Sequence, residues 1–357
     1  MSLPVLLRNA LTLLLGLAAA FLCVRLRTPI PWMIGPLVAV SRASILGAPT
    51  RSWPPMRNAA QWIIGCALGL YFTPQVTALV GSLWWAIVLA VLWALGLGWA
   101  FGRWLHGRHA DRIGGDERTR WATTYFAGAI GGASEMTLLA ERENGRGDLV
   151  AAAHSVRLVM VTLVIPFAFL SIGLHGLDAT LPGARRVDAA GLALLALATL
   201  AGGWLMARTG RANPWFMGAL LASMGITMAG VELSALPDGA TNAAQLVIGA
   251  SLGVRFQREF LHAAPRWLMD AAVGTLAMIV LCAGFAFLLS WGTYVHPATL
   301  VLGTSPGGIA EMAITAKVLQ LGVPVVTAFQ VCRLVAVLVL VEPLYRWVKP
   351  GRRGPAA

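Results

Sequence analysis

Apolar residues run in blocks near membrane-spanning length from the N-terminus to about residue 348, separated by short breaks that carry most of the arginines. A helix needs about 20 mostly apolar residues to cross the hydrocarbon core of a bilayer. The pattern predicts twelve apolar elements, at roughly 5–24, 29–46, 57–72, 82–104, 121–140, 148–171, 187–207, 213–230, 241–256, 265–290, 297–318 and 324–346. The first block has the length of a secretory leader, but Arg25 and Arg27 flank it and more apolar sequence follows directly, so it reads as a retained first span.

The twelve elements fall into two sets of six. Pro31-Trp32-x-x-Gly35-x-Leu37-x-Ala39 recurs as Pro214-Trp215-x-x-Gly218-x-Leu220-x-Ala222, an offset of 183 residues. Asn58-Ala59-Ala60-Gln61-x-x-Ile64-Gly65-x-x-Leu68-Gly69 recurs from Asn242 and Gln245 to Gly253 at an offset of 184. Gly131-Gly132-x-x-Glu135-Met136 recurs as Gly307-Gly308-x-x-Glu311-Met312, and Arg157-Leu158-Val159 as Arg333-Leu334-Val335, both offset by 176. The chain is an internal duplication, with a first membrane repeat over 1–180 and a second over 181–357.

Basic residues in the breaks predict orientation, because cytoplasmic loops collect Arg and Lys. Arg42, Arg51 and Arg57, then Arg103 to Arg120, then Arg208 and Arg211, then Arg255, Arg258 and Arg266, and finally Arg346, Lys349, Arg352 and Arg353 mark inside breaks. Breaks 73–81 and 231–240 carry neither residue and read as outside. Three apolar elements lie between Arg120 and Arg208, and again between Arg266 and Arg346, so one element in each set must fail to cross. The fifth of each set is the candidate, since Gly131-Gly132 and Ser305-Pro306-Gly307-Gly308 interrupt it. The resulting fold class is an all-α polytopic membrane protein of two inverted-topology repeats, with about ten transmembrane helices plus two re-entrant or broken helices and both termini cytoplasmic.

Polar residues inside the apolar blocks are the candidate site. Glu135 and Glu311 follow the glycine pairs near the start of the resuming helix, where a carboxylate meets the positive end of the helix dipole. Arg157 and Arg333 follow those glutamates by 22 residues, too deep in an apolar helix to reach water easily, and pairing with the glutamates is the economical expectation. Such pairs could instead only fix helix register. His154 lies one turn before Arg157, and Gln330 holds its place in the second repeat. Gly132, Ser134, Glu135, Arg157, Gly308, Glu311, Arg333, Gln61 and Gln245 form the expected solute-binding set, and His154, Glu135 and Glu311 the expected proton-relay set.

Composition narrows the class further. The chain is 58% hydrophobic and 12% charged, and its net charge of +12 is distributed over breaks, not gathered on one face, so nucleic acid is not the implied partner. Cys23, Cys66, Cys282 and Cys332 lie inside apolar runs without metal or redox spacing. Of six histidines only His106 and His109 are close in sequence, and without nearby carboxylates they make a weak metal site. No metal, no cofactor and no enzymatic centre is expected.

At the paired Pro-Trp-x-x-Gly, Asn-Ala-Ala-Gln and Gly-Gly-x-x-Glu-Met blocks the chain resembles the AbrB family of bacterial membrane proteins, over nearly its whole length. That family carries labels that include regulation of gene expression, ammonia monooxygenase and transport, and it shares its name with a small soluble DNA-binding regulator to which this sequence has no likeness. The function expected is a secondary transporter or permease of the bacterial inner membrane for a small polar or anionic solute, working by alternating access with a midplane site at the repeat interface. The alternatives are a membrane sensor that affects expression indirectly and, less favoured, a membrane mono-oxygenase. Expected partners are the solute, a coupling H+ or Na+, the lipid bilayer and, where copies associate, a homo-oligomer.

Overall fold

A computed structural model describes residues 5–177, 182–210, 213–237, 239–256 and 264–349. Arg211, Arg258, His262, Arg352 and Arg353 lie outside them. Fifteen helices and no strand occur among the described residues: α1 (Val5–Arg25), α2 (Pro31–Ile45), α3 (Pro54–Gly69), α4 (Pro74–Ser82), α5 (Trp84–Ile113), α6 (Glu117–Gly128), α7 (Ala133–Arg142), α8 (Gly147–Ser171), α9 (Ala189–Arg208), α10 (Pro214–Met228), α11 (Ala240–Gly253), α12 (Pro265–Thr293), α13 (Pro297–Thr304), α14 (Ile309–Val318) and α15 (Val323–Val348).

Helices α1, α5, α8, α9, α12 and α15 are long and apolar enough to cross a membrane. The pair α3 and α4, bent by 87°, would make a seventh crossing if taken as one span. The other expected crossings, α2, α3, α10 and α11, have only 14 to 16 residues, about 21–24 Å of helix against a hydrocarbon core of about 30 Å. The chain is a polytopic, all-helical membrane protein in which four of the ten expected crossings are short. The fifth element of each set is broken as predicted. Residues 129–132 separate α6 from α7, and residues 305–308 separate α13 from α14.

Repetition extends from sequence into backbone detail. Prolines open α2 and α10 behind residues in the same left-handed conformation, Ile30 (φ 45°, ψ 55°) and Asn213 (φ 46°, ψ 47°). Few non-glycine residues adopt that region, so its double occurrence is unusual. Both α7 and α14 have ten residues, and both α6 and α13 end on an extended residue, Ala129 or Ser305.

The chain divides into two compact units, and each draws on both repeats. The first comprises 1–82, 162–261 and 309–327, and the second 83–161, 262–308 and 328–357. Within the first, α3 packs on α10 and α11 on α2, so each repeat's third helix meets the other repeat's second. Glycine makes this possible. A Cβ on Gly65 would stand 2.3 Å from the Phe216 carbonyl oxygen, and one on Gly249 would stand 2.3 Å from that of Met33. An apolar core of Cys66, Leu70, Leu195 and Ala219 lies beside this crossing.

Within the second unit α5 packs on α6 and α12 on α13. Gly98, Gly102 and Gly128 allow the α5 and α6 backbones to touch, for a Cβ on Gly128 would fall 2.4 Å from the Gly102 amide nitrogen. Tyr125, Phe126 and Tyr345 form an aromatic cluster there, with the Tyr125 hydroxyl donating to the Val341 carbonyl at 2.9 Å.

Candidate functional site

Where a helix stops inside protein, its last carbonyls lack intrahelical donors and carry the negative end of the helix dipole. Both breaks in the second unit present this problem, and both solve it alike. Arg157, on α8 and 4% exposed, donates from Nη1 to the Gly128 carbonyl at 3.1 Å and from Nη2 to that of Ala129 at 2.9 Å. Arg333, on α15 and 6% exposed, donates from Nη1 to the Ser305 carbonyl and from Nη2 to that of Gly307 at 2.7 Å. Ala129 and Ser305 are equivalent by the 176-residue offset, so the same carbonyl is capped by the same arginine in each repeat.

One turn before each arginine a second side chain holds the carbonyl three residues earlier. His154 Nε2 lies 2.9 Å from the Phe126 carbonyl, and Gln330 Nε2 lies 2.7 Å from that of Leu302, again equivalent positions. Because a carbonyl only accepts, Nε2 of His154 carries the proton and Nδ1 accepts from Arg157 Nη2, 2.6 Å away. The ring is thus fixed between a carbonyl and a guanidinium.

This arrangement corrects the expected Glu–Arg pairing. Glu135 shares the second unit with Arg157 and makes no ion pair among the described residues; instead it sits in the first turn of α7, folded over its helix start. A Cβ on Gly132 would stand 2.0 Å from Glu135 Oε2, which places the carboxylate directly over the break. Glu311 occupies the matching first turn of α14, is 8% exposed and belongs to the first unit. In that unit Arg255 lies within electrostatic reach of both Glu311 and Arg57. Arg57 and Arg255 were assigned to inside breaks, and the nearness of Arg255 to Glu311 has no local sequence signal.

The remaining expected residues scatter. Ser134 is exposed, and Gly132 and Gly308 are half-buried beside the breaks. Gln61 donates from Nε2 to Asn213 Oδ1 at 3.0 Å, and Gln245 is buried; both belong to the first unit, whereas the arginines belong to the second. The histidines thought to lack carboxylates have them: His106 Nε2 lies 3.1 Å from Glu117 and His109 Nε2 lies 2.7 Å from Asp270, 161 residues away. Among the described residues no group of three or more His, Cys, Asp or Glu side chains is placed to hold a metal ion. The first unit also has an open cavity of about 470 Å³ lined by Arg185, Arg186, Asp188 and Glu232, whose mixed charges select neither sign.

Arg157 and Arg333 come from opposite repeats into one unit and lie within electrostatic reach of each other. Each of these buried guanidiniums thus sits on a helix break, with carbonyl dipoles in place of carboxylates as its partners.

A family model described as transition state regulatory protein AbrB matches residues 32–349. The chain belongs to the AbrB family. The match takes in both breaks and most of both repeats. Among relatives, this AbrB-family chain is 26% identical over 339 residues to a protein of Escherichia coli (strain K12) named as a candidate regulator, AbrB, covering 93% of each chain. It is 24% identical over 345 residues to the uncharacterized protein YhjN of Bacillus subtilis (strain 168), covering 89% of this chain and 87% of that one. No solved structure matches.

Proposed function

We propose that this AbrB-family chain is an inner-membrane permease for a small anionic solute, which binds at the paired helix breaks of the second unit. The observation that carries the reading is that Arg157 and Arg333, both buried in one unit, each sit on the carbonyl oxygens of a helix break with no carboxylate partner among the described residues. Burying charge at membrane depth is costly and marks solute pathways more often than scaffolding. Broken helices with ends inside the bundle are the usual way in which transporters present backbone groups to a solute. An anion between the guanidiniums relieves their repulsion, and a carboxylate can use their unoccupied N–H donors. Glu135 and Glu311, each at a resuming helix start, are the groups that would couple the cycle to protons.

Uptake of labelled small carboxylates into proteoliposomes tests this. Arg157→Lys and Arg333→Lys keep the charge but lose the fork, and should reduce uptake at least tenfold in protein that remains monodisperse. Unchanged uptake in both would remove the anion site. A second reading, a membrane sensor, is favoured by the regulator name of the Escherichia coli relative. A sensor would show saturable binding without exchange across a sealed bilayer.

A further inference from the structure

The two breaks share an arginine on their carbonyls but differ in the side chain one turn before it, and that difference is chemical. In the first repeat His154 uses both ring nitrogens, one on the Phe126 carbonyl and one on Arg157. In the second, Gln330 donates from Nε2 to the carbonyls of Leu302 and Ser305, at 2.7 and 3.2 Å, while its Oε1 is buried without a partner. Turning the amide would set Oε1 against two carbonyl oxygens, so the network fixes its orientation. Arg333 likewise uses Nη1 and Nη2 on carbonyls and leaves Nε buried without an acceptor. Gln330 is fully buried and Arg333 is 6% exposed, so water at the surface does not serve these atoms.

Their geometry limits what could complete them. The Ser305 carbonyl accepts from both Gln330 Nε2 and Arg333 Nη1, which brings the two side-chain heads together at one oxygen. A partner that completes both atoms offers an acceptor to Arg333 Nε and a donor to Gln330 Oε1. A carboxylate with a hydroxyl on the adjacent carbon does this. An ammonium in the hydroxyl's place would bring a positive charge to Arg333 and within reach of Arg157. We infer that the second break, at Gln330 and Arg333, docks the solute and that the solute is a small 2-hydroxy carboxylate, its carboxylate accepting from Arg333 and its hydroxyl donating to Gln330 Oε1. This rests on the permease reading and narrows it; the first break, closed by His154, serves as the supporting charge.

The test is binding of lactate, propionate and alanine to the purified full-length protein by calorimetry, with Gln330→His and Arg333→Lys as variants. Gln330→His copies the residue that the first repeat already uses and should fold. Wild type should bind lactate at least about tenfold more tightly than propionate, the size of one buried hydrogen bond, and alanine more weakly than both. Gln330→His should bring lactate down to the propionate level, and Arg333→Lys should weaken both acids. Equal binding of lactate and propionate, or alanine binding as tightly as lactate, overturns the 2-hydroxy acid assignment and leaves the anion site standing if Arg333→Lys still weakens the acids. No binding by any of the three, or acid binding indifferent to Arg333→Lys, overturns both.

Discussion

Replacing Arg157 with Met removes the cap of α6 while keeping an apolar side chain of similar length. The Gly128 and Ala129 carbonyls lose charged donors at 3.1 and 2.9 Å, and His154 Nδ1 loses its donor. Hydrogen bonds to a charged group contribute about 1.5–3 kcal/mol each, so the two carbonyl bonds account for roughly 3–6 kcal/mol. Removing a buried guanidinium also removes its desolvation cost and its repulsion with Arg333, which returns roughly 1–3 kcal/mol. The net expectation spans about 0–5 kcal/mol and centres on a loss of roughly 2–3 kcal/mol. At about 2 °C per kcal/mol for a chain of this size, the midpoint should fall by roughly 4–6 °C. Tryptophan fluorescence during heating in detergent reads it, at one fixed scan rate because such unfolding is commonly irreversible. Arg333→Met should behave alike, since it also removes two charged bonds to carbonyls of a break, one of them, to Ser305, the equivalent of the Ala129 bond. Unchanged midpoints in both variants would show that the arginines do not hold the helix ends, and the described geometry would lose its meaning.

Three further outcomes follow from the same geometry. His154→Gln installs the second repeat's residue and should keep the bond to the Phe126 carbonyl, leaving the midpoint within about 1 °C, whereas His154→Leu should lower it by an amount typical of one lost buried bond, about 1–3 kcal/mol. Gly128→Ala drives a methyl into the backbone of Gly102 and Gly98, atoms that cannot move aside, so it should cost at least about 3 kcal/mol and reduce yield of folded protein, read by size-exclusion chromatography. Asp116 caps α6 by accepting from the Thr119 amide at 2.8 Å, and its bonds to Thr119 hold its carboxyl below the usual value of 3.8. Its contribution is therefore present above that pH and is lost as pH falls through the lower folded value; the midpoint gap between wild type and Asp116→Ala should narrow below about pH 4 and stay constant above pH 5.

The sequence carried the broken elements because glycine pairs and Ser-Pro-Gly-Gly interrupt otherwise apolar helices, and the structure stops α6 and α13 at those points. It carried the duplication because offsets of 176 to 184 preserve identical spacings. The partners of Arg157 and Arg333 were not legible, since carbonyl oxygens belong to every residue and leave no side-chain signal. A comparison of the repeats at offset 176 holds a clue, for it pairs Phe126 with Leu302 and His154 with Gln330. The two compact units were also hidden. They depend on exchange between repeats, with Gly65 against Phe216 and Gly249 against Met33, contacts that no local pattern encodes. α2, α10 and α11 were read as longer because apolar flanks continue past their ends into turns, whereas α3 was read at its observed length but displaced by three residues, because it starts at Pro54.

Counterflow of small carboxylates in sealed proteoliposomes tests the central claim most directly. With unlabelled lactate, glycolate or acetate inside and a trace of the labelled acid outside, the wild type should accumulate label transiently, and Arg157→Lys and Arg333→Lys should abolish the overshoot. Saturable binding with no overshoot for any of the three acids, or an overshoot that survives both substitutions, would contradict it.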